Sequence, residues 1–401
     1  MSQDELEQAA RRALSEVFGH TEFRPAQWAV IRAVLGGDDV FAVLPTGAGK
    51  SLCYQLPAAI LPGTFLVISP LIALMKDQVD TLRERGKVRA AYINSSLSIA
   101  EQKATERHMQ AGEYDLVYVA PERLRSARFR EALERCPLAR VVVDEAHCIS
   151  EWGHDFRPDY LHIGDVFSSD RRPPFLALTA TATPRVRGDV LARLGIADAG
   201  LVALPVDRPN LRWQVRHTPT EEAKLAAVAE LLRPLTEGSA IVYCGTRQDT
   251  QDVAAFVHSR GLGCQHYHAG LTSEQRTRVQ ERFMGDELPV VAATNAFGMG
   301  IDKEDIRVVV HHRMPGTLEA YYQEAGRAGR DGQPSDCVLL YAAEDRRLQE
   351  YFIESSLVTR EQMRELWQAM QALASADSDH PDRLRLDADA KALGVPLNLS
   401  E

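Results

Sequence analysis

Residues 39–51 read DVFAVLPTGAGKS: an unbroken apolar run, a proline, a glycine-rich turn, then lysine and serine at the head of a helical pattern. An apolar run without polar alternation predicts a strand buried on both faces, as in a parallel sheet. Gly47 and Gly49 let backbone N–H groups approach phosphate oxygens, Lys50 brings positive charge and Ser51 a hydroxyl for Mg²⁺, with Thr46 and Ala48 completing the loop. The strict form of this pattern has glycine at position 44, where this chain has Leu44. Strand, loop and helix nevertheless follow in the order a phosphate loop requires.

The same unit repeats along the chain. Apolar runs occur in DVFAVLP, TFLVISP, YDLVYVAP, RVVVDEAH and PFLALTATA, and again in SAIVYCGT, GCQHYHAG, LPVVAAT, IRVVVHH and DCVLLYA. Helical periodicity separates them, so the expected fold class is α/β, with two tandem doubly wound parallel-sheet domains and ligands at the carboxyl ends of the strands. The boundary is expected within VALPVDRPNLRWQV, near residues 204–212, which divides the chain into 1–205, 206–343 and a helical C-terminal segment, 344–401. In that segment Thr359 and Gln362 form a candidate capping box, and Met363, Leu366, Trp367 and Met370 fall on one stripe expected to pack into a core. The charged, turn-rich tail after it is expected to be poorly ordered in part.

Composition narrows the partners only weakly. The chain has 401 residues, 45% of them hydrophobic and 25% charged, with a net charge of −10. An acidic average argues against a nucleic-acid partner, although a cleft can be locally basic. The cysteines at 53, 136, 148, 244, 264 and 337 form no CxxC pair, which fits reduced thiols in the cytosol rather than a zinc site. The N-terminus is acidic and helical in pattern, not a signal peptide. Ser51 to Met75 is a stretch of 25 residues without a charge, but Pro57, Pro62, Gly63 and Pro70 break it up, so a membrane helix is not expected.

Two further groups carry chemistry. In VVVDEAHCISEWGHDFRPDY, residues 141–160, a strand ends on Asp144 and Glu145. Asp144 is placed to hold Mg²⁺ and Glu145 to polarise an attacking water, and a purely structural pair of adjacent carboxylates would repel. His147 either couples to a neighbouring motif or packs. In YYQEAGRAGRDG, residues 321–332, Arg327 and Arg330 are spaced to point at one spot if the segment begins a helix. Arginines from one domain facing a phosphate loop in the other would tie hydrolysis to domain closure.

These motifs closely resemble those of the RecQ family of superfamily 2 DNA helicases. LSEVFGHTEFRPAQ, LPTGAGKSLCYQLP, ISPLIALMKDQV, APERL, DEAHCISEWGHDFRPDY, LTATAT, YCGTRQDT, HAGL, ATNAFGMGIDKEDIRVVVHH and YYQEAGRAGRDG follow in family order, from residue 14 to about 343. The resemblance implies RecA-like domains and an ATP-dependent helicase that moves 3′ to 5′ on single-stranded DNA in repair or recombination. It would be cytoplasmic, and nucleoid-associated if bacterial, with ATP and Mg²⁺ as cofactors, single-stranded and partly duplex DNA as partner, and protein partners left open. It also implies that Gln27 reads the adenine edge with Arg24 beside the base, and that Gly300 and Asp302 lie near the nucleotide. The family's stacking tyrosine is replaced by His20.

For DNA, the resemblance implies a sensor loop in which Trp152 and Phe156 stack on bases and Arg157 meets a phosphate or base face. It further implies backbone contacts from Ser69, Asn94, Ser95 and Thr294. The family's four-cysteine zinc subdomain has no counterpart here, since no cysteine follows Cys337. LDADAKALGVP resembles the start of a winged helix, and a short family member and a truncated chain both fit. Two other readings remain: an RNA helicase, and an ATP-gated clamp or annealing module with weak unwinding.

Overall fold

The computed structural model describes residues 3–70, 72–153, 155–168, 172–205, 207–298, 301, 303–356, 359–373, 375–376 and 384–385. The first sheet is built from β1 (Val40–Val43), β2 (Thr64–Ile68), β3 (Ala90–Ile93), β4 (Leu116–Val119), β5 (Leu138–Val143), β6 (Phe175–Thr179) and β7 (Gly200–Ala203). The second uses β8 (Leu211–His217), β9 (Ser239–Tyr243), β10 (Cys264–Tyr267), β11 (Val290–Ala293), β12 (Ile306–His311) and β13 (Ser335–Tyr341). Their orders are β3-β4-β2-β5-β6-β1-β7 and β10-β11-β9-β12-β13-β8, and all neighbours run parallel.

Each central strand feeds two cores, because successive side chains leave opposite faces of a sheet. Val40 and Ala42 of β1 join Phe65 and Val67 of β2 on one face, while Phe41 and Val43 join Leu66 and Ile68 on the other. In the second sheet Ala240 and Val242 face one core, and Ile241 and Tyr243 the other. Continuous apolar runs therefore mark the interior strands.

The runs singled out in the sequence leave out β3, whose AAYI is apolar and mostly buried, as well as β7 and β8. The chain expected to form a domain boundary includes β8, whose LRWQVRH alternates polar and apolar residues. At the sheet edge the alternation does not sort by burial: apart from buried Leu211, Trp213 and Val215 are 40% and 68% exposed, while Gln214 and Arg216 are half-buried. β7 is likewise an edge strand and largely exposed.

Beyond the second sheet, helices Asp345–Ser356 and Arg360–Leu373 follow. The capping box forms: Thr359 N donates to Gln362 Oε1 at 2.8 Å and Gln362 N to Thr359 Oγ1 at 3.1 Å. Among the described residues the stripe expected to pack into a core is only partly covered: Met363 and Trp367 are 56% and 58% exposed, and Leu366 and Met370 are half-buried. Periodicity gives a helix an apolar face but does not supply a surface to cover it. The expected disorder of the tail falls mostly on residues outside those described. The charge-free stretch resolves into helix Leu52–Ala58, β2 and the start of helix Ile72–Arg85. None of the helices among the described residues is long and apolar enough to cross a membrane.

Candidate nucleotide site and nucleic-acid interface

The loops after β1 and β5 and the turn after helix Leu318–Ala325 converge on a cleft of about 420 Å³. The first domain lines it with Gln27, Thr46, Gly47, Gly49, Lys50, Ser51, Asp144 and Glu145, and the second with Arg327 and Arg330. Gly47 and Gly49 have φ of +83° and +76°, a conformation that only glycine adopts cheaply. Close packing reinforces the requirement: a Cβ on Gly49 would collide with the Gln27 amide, and one on Gly47 would lie 3.3 Å from Arg330 Cγ.

Gln27 is buried and tied to this loop. Its Oε1 accepts from Arg24 N at 2.7 Å, and its Nε2 donates to the Ala48 and Gly49 carbonyls, each at 3.1 Å. Arg24 is exposed and donates to the Gly47 carbonyl. A base read by Gln27 must therefore replace bonds that the amide now makes to the loop. Ala48 offers its carbonyl to that amide, and His20 lines the cleft.

Asp144 and Glu145 follow β5 directly. Glu145 has φ +48°, a strained value for a non-glycine residue. Glu145 N donates to Asp144 Oδ1 at 3.1 Å. Glu145 Oε2 lies 3.4 Å from His147 Nδ1, which also meets Thr179 Oγ1 at 2.9 Å. The Thr179 hydroxyl donates to the Thr181 carbonyl, so its oxygen accepts and Nδ1 of His147 carries the hydrogen. His147 thus couples the acidic loop to the TAT segment after β6.

Burial first, and the Glu145 charge second, push the Asp144 carboxyl up to about 7, while Lys50 pulls it down. The folded protein thus holds this proton more tightly than the unfolded chain, whose ordinary value is 3.8. Stability without nucleotide or divalent cation should be full below that value and decline as pH rises from about 4 through about 7. Melting temperatures from pH 5 to 8 should show a downward contribution that Asp144→Asn removes; identical slopes in the two proteins would contradict this account.

The two arginines reach the cleft by a route other than the one expected. Helix Leu318–Ala325 ends before them, so Arg327 and Arg330 sit in the turn that follows a helix and do not begin one. Arg327 is 5% exposed, and Gly329 carries the turn at φ +56°. Gly300 and Asp302 lie outside the described residues.

The residues expected to meet DNA divide into two groups. Trp152 is 59% exposed, with the Arg185 guanidinium 3.2 Å from its ring centroid. Phe156 is half-buried, as is Arg157, which pairs with Asp155 at 3.1 Å. Ser95 is exposed, and Thr294 lines a second cleft of about 320 Å³ with Asn295, Arg313 and Thr317.

Ser69 and Asn94 are buried. Ser69 is 3% exposed and donates to Asp144 Oδ2 at 3.4 Å, so it serves the acidic pair. Asn94 is 1% exposed, and its Oδ1 accepts from Ser96 N and Oγ at 2.9 and 2.6 Å.

His147, Cys148 and Asp155 bring ligand atoms within 4.8 Å of one another, but Asp155 is engaged by the Arg157 guanidinium, which disfavours a cation there. Sequence reasoning missed Arg185, Thr179 and Arg208. The first two stand in or just after the TAT segment, whose threonines are a usable signal. Arg208 lies in the expected boundary stretch, and nothing in its local sequence marks it out.

The chain matches the DEAD/DEAH box helicase family model over residues 24–189 and the helicase conserved C-terminal domain over 223–332. It is 43% identical to the probable ATP-dependent DNA helicase RecS of Bacillus subtilis, covering 92% of this chain and 74% of that one. It is also 43% identical to the ATP-dependent DNA helicase RecQ of Pasteurella multocida, covering 85% of this chain but only 53% of that longer protein. Among solved structures, the DUF1998 helicase MrfA bound to DNA superposes with a TM-score of 0.69 at 20% identity, over 96% of this chain and 60% of that one. That likeness shows the fold alone. With two helicase domains around one cleft and this identity over most of its length, the chain belongs to the RecQ family of ATP-dependent DNA helicases.

Proposed function

We propose that this chain hydrolyses ATP to move 3′ to 5′ along single-stranded DNA and separate duplexes, in repair or recombination in the cytoplasm. Residues 1–205 would form the nucleotide-binding half and 206–343 the half that closes on it. The observation that carries the reading is the cleft itself, where Lys50, Asp144 and Glu145 of one domain face Arg327 and Arg330 of the other.

In this reading Gly47, Gly49 and Lys50 cradle the phosphates, and Gln27 and Arg24 orient the base. Glu145 takes the proton of the attacking water, while Arg327 and Arg330 meet charge that develops on the transferred phosphoryl group. The donor set also fits a hard cation, since Ser51 offers a hydroxyl and Asp144 a carboxylate with Glu145 crowding it. Mg²⁺ held there would neutralise phosphate charge. Ser69 and Tyr160 orient Asp144 through its carboxylate and carbonyl.

Trp152 and Phe156 lie on the loop that begins at Glu145, so a base stacked on them is linked through that loop to the catalytic carboxylate. The test is steady-state ATP hydrolysis by the 401-residue chain alone, with single-stranded DNA, and with RNA of matched sequence. Stimulation by DNA alone supports the reading, equal stimulation by RNA favours an RNA helicase, and no hydrolysis under any condition overturns it. Trp152→Ala combined with Phe156→Ala should raise the DNA concentration for half-maximal stimulation by roughly tenfold or more, since each base stack contributes about 1–3 kcal/mol. An unchanged DNA dependence would remove these rings from the interface.

A further inference from the structure

Between β7 and β8 the chain passes from one domain to the other, and Arg208 stands in that passage. Its guanidinium uses all its N–H groups. Nε donates to Asn210 Oδ1 at 3.4 Å; Nη1 to the Thr46 and Gly326 carbonyls at 2.9 and 3.3 Å; Nη2 to the Ala328 and Gly329 carbonyls at 3.1 and 2.8 Å. Thr46 belongs to the phosphate loop. Gly326, Ala328 and Gly329 frame the turn that carries Arg327 and Arg330.

This is the carboxyl end of helix Leu318–Ala325, where unpaired carbonyls favour a cation. Asn210 tightens the same turn, donating to the Gly329 and Gln333 carbonyls at 2.8 and 3.0 Å. A Cβ on Gly329 would collide with the Asn210 amide. On the opposite side, the place of a Cβ on Gly47 lies 3.7 Å from Arg208 Nη1 and 3.3 Å from Arg330 Cγ. One guanidinium thus holds phosphate loop and arginine turn against each other. A lysine has the charge but not the planar fork that spans carbonyls on two domains.

We propose that Arg208 is a positioning residue for ATP hydrolysis, setting the distance between the phosphate loop and the turn that bears Arg327 and Arg330. It does not line the nucleotide cleft, so it acts through those arginines and not on the nucleotide. The inference rests on the ATPase reading above.

The experiment compares wild type, Arg208→Lys, Arg208→Ala, Arg330→Ala and the Arg208→Ala/Arg330→Ala double variant. DNA-stimulated kcat and KM for ATP are measured with the melting temperature of each. Misplacement of reacting groups by about an ångström costs on the order of 100-fold in rate, so kcat should fall by about that factor in Arg208→Ala and Arg208→Lys. KM should stay within about threefold of wild type, because ground-state contacts to ATP are untouched. The double variant should be little slower than Arg330→Ala alone, since the two changes remove one function.

A lysine variant with wild-type kcat overturns the proposal, and so does a double variant whose losses multiply. A fall in melting temperature with unchanged kcat reduces Arg208 to a structural staple and also overturns it. Should Arg208→Ala fail to fold, Arg208→Lys alone decides by the same split of kcat against KM. A wild-type chain without ATP hydrolysis overturns the functional reading itself, which separates that failure from this one.

Discussion

Glu145→Gln is expected to lower DNA-stimulated ATP turnover by about a thousandfold, within the range of roughly 10²–10⁴ for loss of a general base, while ATP still binds. The substitution keeps the side chain's shape and removes its basicity. The backbone at φ +48° should accept it, because the strain belongs to the position and not to the carboxylate. The link to His147 at 3.4 Å loses its charge but not its geometry. Removing one of two adjacent negative charges also relieves the repulsion that raises the Asp144 carboxyl, so affinity for ATP with Mg²⁺ should hold or improve. Single-turnover hydrolysis and fluorescent-nucleotide titration on the same sample separate these effects. Turnover within a few-fold of wild type would remove Glu145 from the chemistry, and lost binding would make its role structural.

Asp345→Ala should cost the second domain about 3–5 kcal/mol, the range for stranding one member of a buried ion pair. Lys224 Nζ meets Asp345 Oδ1 at 2.6 Å, with the two side chains 1% and 0% exposed. Lys224 also donates to the His312 carbonyl at 2.7 Å, and Asp345 accepts from Ala342 N at 3.2 Å. Arg313 reaches the same carboxylate at 3.3 Å and ties it to Asp249 and Glu221. Without Asp345 the Lys224 ammonium would be buried beside another cation. Arg346→Ala is the control: its i,i+4 bridge to Glu350 is exposed and contributes at most about 1 kcal/mol. Urea midpoints of the two variants should differ widely, and similar midpoints would show that the buried pair relaxes into water at little cost.

The parts of the fold legible in the sequence were those where local composition and tertiary role coincide. β1 is apolar throughout, and β2, β5 and β9 carry unbroken apolar runs after Thr64, Arg140 and Ser239, because helices cover both faces of their sheets, so these runs stand out. β8 mixes polar with apolar residues and follows a proline-containing stretch, so it reads as part of a linker. The phosphate loop and acidic pair were legible because their chemistry is local. Ser69 and Asn94 show the limit: both stand in recognisable motifs, yet burial turns their side chains inward, and burial is set by distant neighbours. Arg208 was invisible for the same reason, since its partners lie 162 positions before it and 118 to 121 after it. Trp367 errs in the other direction, an apolar stripe with no described element over it.

The attachment of the interdomain passage at both ends has a mechanical consequence. Leu204 N donates to the Val43 carbonyl at 3.0 Å, extending the first sheet, and Leu211 N donates to the Arg208 carbonyl at 2.9 Å as β8 begins. Leu204 and Arg208 are thus only a few positions apart in the chain, and Pro205 fixes one dihedral between them. A joint so short acts as a pivot and not as a tether. The distance a DNA strand advances per ATP would then be a lever length multiplied by an angle, set by domain size and indifferent to base sequence. Lengthening the joint by a few glycines should leave ATP consumption possible while shortening or abolishing the travel it produces.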